Sequence, residues 1–320
     1  MSQPEICMVY FNVSGMWHSR DVAAHFADMK SMGVDSIFTN WRELSGLGAL
    51  KFKVDLAHEA GLRVYASPGR VAGLFAAGPR PGSMFATRNP ETLMRYENGD
   101  PLVGTGGFVC CVNQPGFQKW FYPYMQEMID KSGADGIIFD EPKETVSPCW
   151  CDVCKSMVDE QNAESLANLR TDGMAAMMGK TCALVKELDS SFTTSAMLMP
   201  VSTDRFIEKL SQEEALDAFG VDGPLCAQGE EGLDRSKLKT PLFDSAPRFL
   251  EMAHKAGKRS FALTETFDVH KWAHEELGRN VVNLPELGAD IYAFNYYGHE
   301  NQDPDGLMEI LREAIAGLKA

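Results

Sequence analysis

The strongest constraint on the fold is a repeated alternation of short apolar, β-branched or aromatic runs with segments of helical periodicity. Because parallel neighbouring strands need a helical crossover, eight such units in order predict an α/β protein with a single (β/α)8 barrel, the TIM-barrel fold. No GxGxxG turn follows the first run, so a doubly wound nucleotide-binding sheet is disfavoured. The predicted strands lie at residues 6–13, 35–41, 62–69, 133–142, 191–200, 214–222, 259–267 and 289–298.

Two irregular stretches interrupt this rhythm. The first, at about 70–116, is rich in Gly and Pro and separates the third strand from its helix, and the second is a Cys-rich loop at about 143–154 after the fourth strand. Long loops in compact domains are usually functional or disordered, and the aromatic and cysteine content of the first favours an ordered insertion at the active-site mouth. Linker-like composition is absent, so we expect residues 1–320 to form one barrel domain.

Charge and targeting signals limit the partners of the chain. The 30 Lys and Arg residues against 45 Asp and Glu residues give a net charge of −15, which argues against nucleic acid and anionic membrane surfaces. The sequence has no stretch of 18 apolar residues and no basic N-terminal region with a cleavage signature. We therefore expect a cytoplasmic protein with a small-molecule partner and no organic cofactor, and a homo-oligomer is left open.

Carboxylates close two of the predicted strands. The fourth strand ends in IIFDEP at Asp140 and Glu141, and the seventh ends in ALTETF at Glu265. A carboxylate at the end of a buried strand is costly unless it is hydrogen-bonded, paired or used. A helix cap or an ion pair could explain one of them, but strands four and seven face each other across the barrel mouth. Two carboxylates flanking a sugar are the minimum equipment for cleaving a glycosidic bond.

Other polar and aromatic side chains at the predicted mouth are candidate substrate contacts, since catalytic and binding groups of this fold lie at the C-terminal ends of strands. Flat apolar sugar faces stack on aromatic rings. The run at 228–237, QGEEGLDRSK, is instead typical of a solvated loop. The predicted substrate contacts are Asn12, Trp17, His18, Asn40, Trp41, Arg70, Asp222, Asn295, Tyr296, Tyr297 and His299.

Three segments resemble a known family. VCCVNQPGFQKWF (109–121), GIIFDEP (136–142) and CWCDVC (149–154) look like the barrel domain of glycoside hydrolases that carry a CxCxxC loop after the fourth-strand acids. The Asp-Glu-Pro order is also similar to the Asn-Glu-Pro signature of retaining barrel hydrolases. That resemblance implies Glu141 as the acid/base and Glu265 as the nucleophile. Asp140 stands where the signature has Asn, which leaves Asp140 open as an alternative nucleophile.

Strand geometry sets a condition on the two adjacent acids. Neighbouring residues of a strand point to opposite sides, so Asp140 and Glu141 can both face a substrate only if the strand has ended between them.

The cysteines of the CxCxxC loop form a second candidate site. Cys149, Cys151 and Cys154 offer three soft ligands within six positions, a spacing that suits a tetrahedral Zn²⁺. We expect Cys111 to be the fourth ligand of a structural zinc, with Cys110, Cys226 or a His as other candidates. A catalytic zinc with three ligands and water, or free thiols, are the alternatives.

Three functions follow as hypotheses. The first is a retaining glycoside hydrolase of carbohydrate metabolism that cleaves a small glycoside or oligosaccharide. The second is a metal-dependent barrel hydrolase or lyase in which the Cys-bound zinc activates water, and it requires the cluster to lie near the barrel axis. The third is a non-catalytic sugar-binding barrel, for which one axial carboxylate would suffice.

Overall fold

Eight parallel strands close into a barrel in the computed structural model of the chain. The strands are β1 Glu5–Val9, β2 Ser36–Trp41, β3 Arg63–Pro68, β4 Gly136–Asp140, β5 Thr193–Leu198, β6 Ala218–Pro224, β7 Arg259–Glu265 and β8 Ile291–Asn295. Their order around the barrel is β1-β8-β7-β6-β5-β4-β3-β2. This arrangement confirms the predicted TIM barrel, and each observed strand is shorter than its predicted run. The structure describes residues 3–11, 18–41, 43, 46–76, 82–104, 106–144, 147–233, 235–295, 297 and 301–320.

Helices surround the barrel and fill the gaps between strands. Among the described residues they are α1 Ser19–Ser31, α2 Gly46–Glu59, α3 Met84–Arg88, α4 Pro115–Ser132, α5 Asp152–Ser156, α6 Ala163–Leu188, α7 Asp204–Ser211, α8 Leu242–Lys255, α9 His274–Val281 and α10 Pro304–Lys319. None of them is long and apolar enough to cross a membrane. The segment between β3 and α4 holds α3 and a small hairpin, Val103–Gly104 with Gly107–Phe108, so the predicted insertion is ordered where it is described.

The buried side chains form an inner and an outer layer. The barrel interior is filled by Cys7, Val9, Phe11, Phe38, Tyr65, Ile138, Met197, Ala218, Phe261, Leu263, Ile291 and Ala293. Because side chains alternate along a strand, positions two residues beyond these point inward at the C-terminal end. Asp140 follows Ile138 in this way, and Glu265 follows Leu263.

A charged network closes the opposite, N-terminal end of the barrel. Glu5 Oε1 accepts hydrogen bonds from Ser36 Oγ and Tyr65 OH, each at 2.7 Å. Arg63 and Arg259 each approach the Glu5 carboxylate at 2.9 Å. Burial alone would raise the pKa of Glu5, but these hydrogen bonds and the two guanidinium charges lower it.

Candidate active site at the mouth of the barrel

The chain turns sharply where β4 ends. Glu141 has a φ of 41°, in the left-handed region that side chains other than glycine seldom adopt. Its backbone N–H donates to Met197 O at 2.8 Å, which ties the turn to the next strand. The condition for using both neighbouring acids is therefore met, because β4 stops at Asp140 and the turn redirects Glu141. The Glu141 carboxyl reaches a hydrogen bond with Asp222 of β6.

Glu141 and Asp222 form a pair of neighbouring carboxyl groups. Burial raises the pKa of Asp222 well above its usual range, and the negative charges of Glu141 and Glu265 raise it further. The pKa of Glu141 is lowered, because the Lys143 ammonium at 2.5 Å and the hydrogen bond from Asp222 outweigh the effect of burial. These opposite directions make Asp222 the group of the pair that binds a proton more readily.

Glu265 closes β7 in a well-defined polar setting. Its carboxylate is paired with the Lys239 ammonium and accepts a hydrogen bond from Gln228 Nε2 at 3.2 Å. The Lys239 ammonium also donates to Gln228 Oε1 at 3.2 Å and lies 4.5 Å from the centre of the Phe267 ring. These contacts fix the orientation of a carboxylate that is only 6% exposed.

The positions of three side chains around these carboxylates could not be predicted from the sequence. Lys143, Lys239 and Gln228 lie on loops, where no periodicity indicates the direction of a side chain. Gln228 begins the run that is predicted to be a solvated loop, yet it is 1% exposed, so the prediction is wrong at that residue. The apolar residues just before it, in LCAQG, are the available signal that the chain is still buried there.

Uncharged polar groups complete the described part of the mouth. Asn40, at the end of β2, is buried, and its carbonyl accepts from Lys53 Nζ at 2.8 Å. Asn295 pairs in register with Glu265, and its Oδ1 is buried with no hydrogen-bond partner among the described residues. Ser67 Oγ, at the end of β3, is also buried with no hydrogen-bond partner among the described residues. Buried polar atoms without partners are suited to bind the hydroxyl groups of a ligand.

Several predicted substrate contacts do not join the carboxylates. Trp41 is 2% exposed, and its Nε1 donates to Tyr124 OH on α4 at 3.0 Å, so it packs outside the barrel. Tyr297 OH donates to Asp28 on α1 at 2.8 Å. Both side chains are occupied in packing between strand and helix, which argues against the sugar-stacking role predicted for them.

Of the remaining predicted substrate contacts, the structure describes His18 and Arg70. His18 is exposed and precedes α1. Arg70 begins the insertion with a φ of 56°, and its side chain lies against Gly106. The predicted contacts Asn12, Trp17, Tyr296 and His299 lie outside the described residues.

The four predicted metal ligands do come together. The sulfur atoms of Cys111, Cys149, Cys151 and Cys154 lie within 4.8 Å of one another, and all four side chains are buried. Cys111 Sγ is 3.3 Å from Cys154 Sγ and 3.8 Å from Cys151 Sγ. Tetrahedral zinc with Zn–S bonds of about 2.3 Å implies sulfur separations of roughly 3.8 Å, so the group fits such an ion. The cluster belongs to the outer core and not to the barrel interior.

Comparisons with known proteins agree with the barrel. No protein-family model and no curated protein matches the sequence. Among solved structures, the β-galactosidase of the haloarchaeon Halorubrum lacusprofundi superimposes with a TM-score of 0.75 at 10% identity, over 98% of this chain and 58% of that one. The β-galactosidase of Marinomonas ef1 gives 0.68 at 12% identity, over 97% and 59%. The β-amylase catalytic domain of Paenibacillus polymyxa gives 0.63 at 11% identity, over 99% and 98%.

These similarities concern the fold. The chain spans less than two thirds of each β-galactosidase but nearly all of the β-amylase catalytic domain. The structural neighbours are glycoside hydrolases, and this chain shares with them the closed eight-stranded parallel barrel.

Proposed function

We propose that this chain is a retaining glycoside hydrolase that acts on a small glycoside or oligosaccharide. The observation that carries the proposal is the meeting of Glu141, Asp222 and Glu265 at the mouth of the barrel, where the charges of the two glutamates raise the pKa of Asp222. A site with one held proton and one separate ionisable carboxylate provides both an acid and a nucleophile.

Each carboxyl group has a role in the proposed mechanism. Asp222 keeps the proton in the resting site, and Glu141 delivers it to the glycosidic oxygen as the bond to the leaving group breaks. Glu265 attacks the anomeric carbon and forms a glycosyl-enzyme. Glu141 then takes a proton from the water that hydrolyses this intermediate. Asp140 is the alternative nucleophile, because its strand position turns it inward beside the pair.

The surrounding polar groups position the reactants. Lys239 and Gln228 orient Glu265 through their direct contacts with its carboxylate. The buried Asn40 and Ser67, together with the buried Oδ1 of Asn295, offer polar groups at strand ends to the hydroxyls of a sugar. Lys143 pairs with Glu141 at rest, so a substrate that separates the two would raise the pKa of Glu141 toward that of an effective acid.

The four-cysteine group is proposed to hold a structural Zn²⁺. Four thiolates complete the usual tetrahedral shell, and a closed shell serves stability and takes no part in the reaction. Cys149, Cys151 and Cys154 follow Glu141 along one loop, so the ion would stiffen the segment that carries the acid. The complete set of four ligands and its place outside the barrel interior favour this role over the metal-dependent hydrolase or lyase.

The proposed partner is a small carbohydrate, and the cytoplasm is the proposed compartment. Turnover of a panel of 4-nitrophenyl glycosides tests the activity, and proton NMR of the first-formed sugar tests retention. Glu141→Gln and Glu265→Gln are each expected to lower kcat/KM by about a thousandfold or more, because each removes a reacting group. Glu251→Gln on α8, where an exposed glutamate pairs with Lys255, is the matched control and should leave kcat/KM unchanged.

Two outcomes would contradict the proposal. One is that no glycoside of the panel is hydrolysed, and binding without turnover would then favour the sugar-binding barrel. The other is that both Gln variants stay within a few-fold of the wild-type rate.

A further inference from the structure

Arg170 on α6 is a buried positive charge that the proposed mechanism does not use. The residue is 2% exposed, and burying a guanidinium is costly unless a negative charge compensates it. Its Nε donates to the carbonyl oxygen of Glu144 at 3.1 Å, Nη2 donates to the carbonyl oxygen of Lys143, and Nη1 contacts Met94 Sδ. Among the described residues, none of these contacts is with a carboxylate.

Among the described residues, the acidic groups whose charges act on Arg170 include the thiols of Cys111, Cys149 and Cys154 and the carboxyl of Glu144. Burial raises the pKa of Glu144, which makes this carboxyl a weak counter-ion. Four thiolates around a Zn²⁺ ion would carry a net charge of −2, and this is the buried negative charge that fits Arg170.

Helix α6 makes contacts next to the cluster as well as with the active-site loop. Gly173, one turn beyond Arg170, lies so close to Asn113 that a Cβ there would be 2.4 Å from Asn113 Oδ1. The Nδ2 of Asn113 in turn donates to Cys154 Sγ at 3.5 Å.

On the other side of Arg170, the Lys143 carbonyl that it binds is two residues beyond Glu141. The backbone N–H of Lys143 donates to Leu74 O at 2.9 Å, so this part of the loop is held from two directions.

We propose that Arg170 is the counter-ion of the loaded four-cysteine site and a positioning residue for the loop that carries Glu141. The first part concerns metal binding alone. The second part rests on the proposed glycosidase function, because it assigns Arg170 an effect on the acid.

Zinc affinity tests the first part on the full chain. The metal is titrated in competition with a chromogenic chelator for the wild type, Arg170→Met, Arg170→Lys and the control Arg205→Met. Arg205 on α7 forms a half-exposed ion pair with Asp172, which lies on α6 like Arg170. We expect Arg170→Met to weaken zinc binding about ten- to a hundredfold, as for other residues that support metal ligands, while Arg170→Lys and Arg205→Met stay within about threefold. A folded Arg170→Met protein that binds zinc within twofold of the wild type overturns the counter-ion role.

Steady-state kinetics tests the positioning role. Lysine restores the charge of Arg170 but not the paired bonds to the two carbonyls, so zinc-loaded Arg170→Lys should lose about tenfold in kcat with little change in KM. Its alkaline pH limb should also move, because the position of Glu141 relative to Asp222 changes. An unchanged kcat and pH profile in this variant overturns the positioning role.

A measurement on the wild-type protein covers the case in which Arg170→Met does not fold. Hydrogen exchange is followed with zinc bound and after chelation, in peptides that cover 136–144 and α8. Exchange at Lys143 should rise at least tenfold on chelation while α8 keeps its protection. No change at Lys143, or an equal rise in both peptides, contradicts the coupling. The zinc titration and the hydrogen-exchange measurement do not depend on glycoside turnover, so failure of the enzyme proposal would not be mistaken for failure of the metal proposal.

Discussion

The substitution Asp222→Asn tests the proposed sharing of a proton between Asp222 and Glu141 at the barrel mouth. In the wild type, Asp222 is 5% exposed, and burial together with the neighbouring carboxylates raises its pKa. Asparagine has nearly the same shape and can still donate a hydrogen bond to Glu141, but it cannot supply a proton. The variant therefore removes the held proton and leaves the packing of β6 intact.

The size of the effect follows from the protonation of Glu141. Without Asp222, the acid would have to be Glu141 itself, with an ordinary pKa of 4.5 that the Lys143 ammonium lowers. A carboxyl of pKa 4.5 is protonated in about 1 molecule in 300 at pH 7. We therefore expect kcat at pH 7 to fall by at least about 300-fold and to recover only as the pH falls below 4.5, because the pKa of Glu141 is lowered from that value.

The assay compares two leaving groups across a pH series. A 2,4-dinitrophenyl glycoside needs little acid assistance, so its hydrolysis by Asp222→Asn should stay near the wild-type rate for glycosyl-enzyme formation. An alkyl glycoside needs the acid and should show the full loss. If both substrates lose activity equally, or if the pH profile is unchanged, Asp222 does not hold the catalytic proton.

Stability gives the same experiment an internal control. A raised pKa in the folded state means that the stability contributed by Asp222 is present at low pH and is lost as the pH rises through the folded-state value. Asp222→Asn removes this loss, so the variant should melt at a higher temperature than the wild type at neutral and alkaline pH. If Asp222→Asn instead melted at a lower temperature than the wild type at neutral and alkaline pH, its loss of activity would be explained by misfolding.

Three further predictions concern the scaffold. Glu5→Gln should lower the free energy of unfolding by about 2 kcal/mol at pH 7, because Glu5 accepts charge-assisted hydrogen bonds. Its lowered pKa means that the difference disappears as the pH falls below 4.5, which urea denaturation at several pH values can check, and a constant difference would contradict it. Cys111→Ser should reduce bound zinc, measured by elemental analysis, and lower the melting temperature, whereas equal zinc content would exclude Cys111 as a ligand. Trp41→Phe should lower the stability by about 1–2 kcal/mol through the lost bond to Tyr124 while KM stays constant, and a large rise in KM would restore its predicted contact with sugar.

The barrel could be predicted from the sequence because its strands are buried on both faces and appear as uninterrupted apolar runs. The inward direction of Asp140, Asp222 and Glu265 follows from the same alternation that fills the barrel interior. The same alternation predicts that the Trp41 side chain points outward, because Trp41 directly follows the inward-pointing Asn40 on β2.

The position of Glu141 could not be predicted. Neighbouring side chains of a strand point to opposite sides, so a continued strand would turn Glu141 away from the side of Asp140. Only the left-handed turn brings the Glu141 carboxyl to Asp222. Lys239 and Gln228 reach Glu265 from a loop whose conformation depends on tertiary contacts and has no periodic pattern. The grouping of Cys149, Cys151 and Cys154 was predictable because they are close in sequence, whereas Cys111 lies far from them in sequence and was one of several candidates.

The most direct test of the proposed function is to trap the glycosyl-enzyme. A panel of 2-deoxy-2-fluoro glycosides with good leaving groups is incubated with the full chain, and the digested protein is analysed by mass spectrometry. The mechanism predicts one added fluorosugar per chain, on the peptide that contains Glu265, and no labelling of Glu265→Gln. Labelling on the peptide that contains Asp140 would assign the nucleophile to β4. Turnover of glycosides without any trapped sugar, and with an inverted product, would contradict the retaining mechanism.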